Sequence, residues 1–202
     1  MSTANYLTLS KVSRQEGDME KAKEYNQKAF GSAYLASDFS QCFSNEGYFL
    51  FKENRPALAL SMSIIAKDYD GDNDAAEGNL MMIGGRFPDV EPAEKDEFLN
   101  YLKERHIQGT LDPDRVEILK RLAQKAEEDG NVDFAMEILI NLDTILHDDA
   151  IHKRIHELAS RYEEGEDDCG CGHDHDHEHD HDHCCGHDHE YDHDHCCGHD
   201  HE

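Results

Sequence analysis

The residues best able to do chemistry in this 202-residue chain crowd its C-terminal end. Twelve histidines and six cysteines fall there: Cys169, Cys171, His173, His175, His177, His179, His181, His183, Cys184, Cys185, His187, His189, His193, His195, Cys196, Cys197, His199 and His201. Imidazole nitrogen and thiolate sulfur are the preferred protein ligands of zinc, nickel and copper. Histidine at alternate positions puts several imidazoles within reach of one ion once the chain curls. Cys169-x-Cys171 and the pairs Cys184-Cys185 and Cys196-Cys197 add soft donors. Gly170, Gly172, Gly186 and Gly198 permit tight wrapping, and the interleaved Asp and Glu offset metal charge or hold imidazole N–H groups.

The segment also repeats. Asp180-His-Asp-His-Cys-Cys-Gly-His-Asp-His-Glu190 recurs residue for residue as Asp192–Glu202, and Cys171–Glu178 is a related opening unit. A structural zinc site pairs four ligands across a foldable spacer. Here many sets of four compete, which predicts several exchangeable ions per chain, Ni²⁺ or Zn²⁺, with Cu⁺ also compatible. The same degeneracy argues against an enzyme, because a catalytic metal needs ligands locked in place by their neighbours. With almost no apolar residue besides Cys and Tyr191, this stretch cannot bury a core, and it is expected to be disordered without ligand. It resembles the His-rich extensions of nickel accessory proteins for urease and hydrogenase, and of the prolyl isomerase serving hydrogenase maturation. That resemblance implies storage, buffering or delivery of nickel or zinc.

Charge narrows the partners. The formal net charge is -27, from 46 acidic and 19 basic residues. Thirteen of the acids lie from Asp167 onward, where no Lys or Arg occurs. Such a field repels phosphates, so nucleic acid and anionic membrane surfaces are excluded as partners. Met1–Asp18 lacks a basic start followed by an apolar run, and no stretch has the length of a membrane span. The expectation is a cytoplasmic protein, whose reduced thiols suit metal thiolates better than disulfides.

Two regions must position this chemistry: an all-α domain over residues 4–163 and the ligand-rich tail over 164–202. In the first, apolar residues recur at three- and four-residue spacing. Asp112-Pro113 offers an N-cap followed by Pro at the first helical position, and Leu119, Leu122, Ala123 and Ala126 line one face of the helix so begun. After the turn at Gly130-Asn131, Phe134, Ala135, Ile138, Leu139, Leu142, Ile145 and Leu146 line the next helix. The hairpin pattern occurs three times, at Gly17-Asp18, Asn54-Arg55 and Gly130-Asn131. Five positions after each turn residue stands a small side chain (Ala22, Ala59, Ala135), which lets two helices approach. Seven positions on, Ala29, Ala66 and Leu142 share its face.

These units resemble the tetratricopeptide repeat family. The first carries Tyr6, Leu9, Gly17, Ala22 and Ala29, and the second carries Phe43, Gly47, Leu50, Ala59 and Ala66. The third carries Leu119, Leu122, Ala123, Ala126, Gly130, Ala135 and Leu139. The resemblance covers most of residues 4–147 and is weakest across Asn73–Gly109, which reads as a degenerate hairpin around Gly84-Gly85 and Pro88. The unit spacing departs from the family's roughly 34 residues. The third unit lacks the usual opening aromatic, and the units lack a closing Pro. The resemblance implies a TPR-like stack of antiparallel hairpins, closed by Ala150–Tyr162 as a capping helix. It also implies a protein partner on the concave helical face. The family's best-known pocket grips a C-terminal carboxylate with Lys and Asn, for which Lys11 and Asn45 are isolated candidates.

Weaker signals carry blander readings. His152 and His156 lie four apart with His147 nearby, but Lys153 replaces the Glu that zinc peptidases need, so a hydrolase is disfavoured. An exposed helix face is the simpler account, with a metal relay as the sharper one. Asp68–Asp74 fails the calcium-loop pattern, having Asn73 or Ala75 where Gly belongs and Asn79 or Met81 where Glu belongs. Cys42, between Phe39 and Phe43, reads as core, as do Met62, Met81 and Met82. The sum is a cytoplasmic metal-binding protein on a TPR-like interaction scaffold, with metal-dependent self-association a further expectation. The alternative is a plain interaction scaffold whose tail only sequesters or senses metal.

Overall fold

The computed structural model describes residues 1–166, and among these the fold is all-α. Its helices are α1 (Thr3–Gln15), α2 (Met19–Phe30), α3 (Ala36–Lys52), α4 (Pro56–Tyr69), α5 (Asp74–Arg86), α6 (Lys95–Glu104), α7 (Pro113–Glu128), α8 (Val132–Leu146) and α9 (Asp149–Glu166). None of them is long and apolar enough to cross a membrane.

Three antiparallel hairpins, α1/α2, α3/α4 and α7/α8, share one turn. Gly17, Asn54 and Gly130 each take positive φ, at 83°, 60° and 78°. The amide after each reaches back to close the preceding helix: Asp18 to Ser13 O (2.9 Å), Arg55 to Leu50 O (3.0 Å) and Asn131 to Ala126 O (2.8 Å). This is the Schellman closure, which satisfies carbonyls that a helix end otherwise orphans. Each second helix then starts at once. Asp18 and Asn131 cap the backbone N–H groups of Lys21 (3.0 Å) and Phe134 (3.3 Å). Arg55 makes no side-chain cap, and there Pro56 opens the helix instead.

The small residues sit where helices meet. Ala22, Ala59 and Ala135 are fully buried, as are Ala29, Ala66 and Leu142. At the α3/α4 contact a Cβ on Gly47 would lie 2.8 Å from Ser63 Oγ and 3.2 Å from the Ala59 carbonyl, so only hydrogen fits. Phe30 meets Phe43 edge-on at 4.9 Å, and Phe43 stacks on Tyr69 at 5.7 Å. The Tyr69 hydroxyl donates to Gly109 O (2.7 Å), bringing the α6–α7 connection over this aromatic cluster.

Between the second and third hairpins the chain departs from the expected degenerate hairpin. Gly84 and Gly85 lie inside α5, which packs on α3 and α4. Burial of Ala76, Asn79 and Ile83 on that side outweighs the poor helix propensity of two glycines facing open space. The shorter α6 is fixed by polar contacts. Glu46 of α3, 1% exposed, accepts from Tyr101 Oη (2.5 Å) and Arg105 Nε (3.3 Å) with one oxygen and from Asn26 Nδ2 (3.0 Å) with the other. Burial, with the Glu46 carboxylate second, pushes the Tyr101 hydroxyl far above its ordinary value. The buried Arg105 Nη2 has no partner in this network.

The third hairpin docks on the loop between α2 and α3. Asn141 of α8 accepts from the Ala36 amide (2.7 Å) and donates to Tyr34 O (3.0 Å). Arg115 of α7 donates to Ala33 O (3.0 Å) and Gly31 O (2.5 Å), with its guanidinium 4.7 Å above the Tyr34 ring. Asp112 caps α7 through the Arg115 amide (3.0 Å), with Pro113 at the first turn, as the sequence predicts. Leu122 and Phe134, expected on the buried faces, are instead 43% and 40% exposed. Leu122 lies one position from Ala123, a rotation of about 100° that carries it off the contact stripe. Helix α9 packs on α8 with Ile151 and Leu158 buried, and Arg154 pairs with Glu127 of α7.

Candidate functional site

The eighteen predicted ligands from Cys169 to His201 lie outside the described residues. Among the described residues no three His, Cys, Asp or Glu side chains are grouped to hold an ion. Two other arrangements carry chemistry.

The first is a groove formed by α1, α3 and α5, enclosing about 280 Å³. Lys11 and Arg14 enter from α1, Gln41, Asn45 and Tyr48 from α3, and Asn79 from α5. Lys11 and Asn45, isolated in sequence, therefore line one cavity. The Arg14 guanidinium lies 4.6 Å from the Tyr48 ring centroid, with the Lys52 ammonium 5.2 Å from the same ring. Stacking on an aromatic face steadies a cation while leaving its N–H donors free. The floor is polar and satisfied: Asn79 donates to Ser44 O (2.7 Å) and Asn45 to Asn26 Oδ1 (3.2 Å). A basic groove on a chain of charge -27 is suited to carboxylate groups. Arg14 and Tyr48 were missed in the sequence. The Lys11/Arg14 spacing of three, which puts both cations on one helix face, was the available signal.

The second is on α9. The Nε2 atoms of His152 and His156 are 3.2 Å apart, with the rings at 76°. His152 Nδ1 lies 2.9 Å from Asp143 Oδ2 of α8. A carboxylate only accepts, so Nδ1 carries the hydrogen. Asp143 stands nine positions before His152, a separation with no local signature.

Other sequence candidates fall into structural roles. Cys42 is fully buried in the aromatic core, and burial first, then Asp38 and Glu46, pushes its thiol well above the ordinary range. That keeps it in the unreactive form. Met62 is likewise buried, whereas Met81 and Met82 are 68% and 41% exposed, so the latter two are surface residues rather than core. In the acidic loop the Lys67 ammonium donates to Gly71 O (2.5 Å) and pairs with Glu77 (3.2 Å), so a side-chain cation already serves this turn.

No family model, no curated protein and no solved structure matches the chain.

Proposed function

We propose that this protein is a cytoplasmic metal-binding protein that stores, buffers or delivers nickel or zinc through its C-terminal segment, and that it is not an enzyme. The observation that carries this reading is the density of eighteen His and Cys side chains within 33 residues, Cys169 to His201, built on an exact eleven-residue repeat. No solvated acidic tail needs paired cysteines or strict His-Asp alternation.

The helical domain acts as a TPR-like scaffold in the same proposal. The groove between α1, α3 and α5 supports this half, since it offers cations and amides to a partner segment bearing carboxylates.

Native mass spectrometry of the reduced chain, titrated with Ni²⁺, Zn²⁺ and Cu⁺, tests the metal half. Several ions should bind the full chain, and chains ending at Gly165 should hold one at most. Equal loading of both would overturn the reading. If metal is held but partner binding is indifferent to it, the tail sequesters rather than delivers.

A further inference from the structure

The strongest chemistry within the helical domain is the histidine pair of α9, which precedes the C-terminal segment in sequence. We propose that His152 and His156 form a second metal site, a two-imidazole seat for a divalent transition-metal ion, with Asp143 as a positioning residue.

The separation of the two Nε2 atoms fits a chelate. Residues four apart are neighbours on a helix surface. Two ligands on one ion, at bonds of about 2.0–2.1 Å and a tetrahedral angle, lie about 3.3–3.4 Å apart. The two Nε2 atoms stand at 3.2 Å, so an ion enters with little movement of either ring. Asp143 fixes which nitrogen can bind. Its hydrogen bond holds the proton on His152 Nδ1, so the His152 Nε2 lone pair faces His156 Nε2 and accepts its hydrogen. An ion seated between them replaces that hydrogen, with the His156 proton moving to Nδ1. Carboxylates that orient imidazoles in this way raise their basicity as ligands.

Access and chemistry agree with this. The His152 side chain is 61% exposed, so an ion and its waters reach it freely. Imidazole suits Zn²⁺, Ni²⁺ and Cu²⁺, while Ca²⁺ and Mg²⁺ demand oxygen ligands. Two protein donors leave the remaining positions to water or a further donor. That makes the seat exchangeable, able to take up an ion and yield it. In sequence its His156 lies thirteen residues before Cys169.

The test uses the full-length reduced chain labelled with ¹⁵N at the imidazole nitrogens and titrated with Zn²⁺. His152→Asn and His156→Asn variants assign the two rings. Both Nε2 resonances should move together along one saturation curve, and either substitution should abolish the response of the remaining ring. Asp143→Asn should weaken binding at this pair by about tenfold or more, with the C-terminal imidazoles unaffected. Saturation of the C-terminal imidazoles with His152 and His156 silent would overturn the second site and leave the C-terminal reading standing. A response of each ring that survives loss of the other would overturn it as well. Paired movement of these two rings without the C-terminal ones would uphold the site and sink the C-terminal reading.

Discussion

The Tyr101 hydroxyl donates to the Glu46 carboxylate across 55 positions of sequence, and this contact fastens α6 to α3 inside the core. Tyr101→Phe removes a donor from a buried charge and should cost about 1–3 kcal/mol. Urea unfolding followed by far-UV circular dichroism measures it. The pH dependence has a definite sign. The hydroxyl's folded value is raised above its ordinary 10.0, so its stabilisation is complete below that value and is lost as pH climbs beyond it. The native chain should therefore lose Tm more steeply above pH 10.0 than Tyr101→Phe does. Parallel curves would remove Glu46 and burial as the cause.

Glycines in two helices should respond in opposite senses. Gly47→Ala forces a Cβ to 2.8 Å from Ser63 Oγ and 3.2 Å from a backbone carbonyl, an overpacking that should cost about 1–3 kcal/mol. Gly84→Ala meets nothing within 4 Å and should instead stabilise α5 by about 0.5–1 kcal/mol. Thermal melts of the two variants, run side by side, check the contrast.

The turns offer a third comparison. Asn54 takes the left-handed conformation that Gly17 and Gly130 occupy in the other hairpins. A side chain pays about 1 kcal/mol there. Gly130→Ala should lower stability by about that amount, and Asn54→Gly should raise it by less, because Asn tolerates this region better than Ala. Denaturant midpoints with unchanged m-values would verify both.

Asp148 caps α9. Its carboxylate accepts from the Ala150 amide (2.9 Å) and the Ile151 amide (3.4 Å), and it sits 3.5 Å from Lys120. The Ala150 hydrogen bond is the main reason its value lies below the ordinary 3.8. Its stabilisation is thus present above 3.8 and disappears as pH falls through the lower folded value. The amide shifts of Ala150 and Ile151 should titrate with a midpoint below 3.8. A midpoint at or above that figure refutes the cap.

The three hairpins were legible because their determinants are local. A turn residue able to take positive φ, a small side chain five positions later and an apolar stripe all lie within a few helical turns. What sequence did not disclose is how the hairpins are joined. Arg115 and Asn141 read as ordinary surface polar residues, yet they bind the carbonyls and amide of the Gly31–Ala36 loop 82 to 107 positions away. Such pairings leave no periodic trace. Gly84-Gly85 suggested a break because propensity is a local quantity, whereas the helix is held by burial of Ile83 and Asn79 against its neighbours. The groove was half legible: Lys11 and Asn45 were visible as types, but only the packing of α1 beside α3 unites them. The residues expected as ligands from Cys169 to His201 lie outside the described residues, so the fold neither adds to nor subtracts from that reading.

Burial of Cys42 gives the molecule an internal clock. Of its seven cysteines, this one can meet an alkylating reagent only when the aromatic core opens. Its labelling rate in the native chain therefore reports the open population when reclosing outruns the reagent, and the opening frequency when the reagent is faster. A thiolate-to-metal absorption band from the folded protein can be ascribed to the other six without correction.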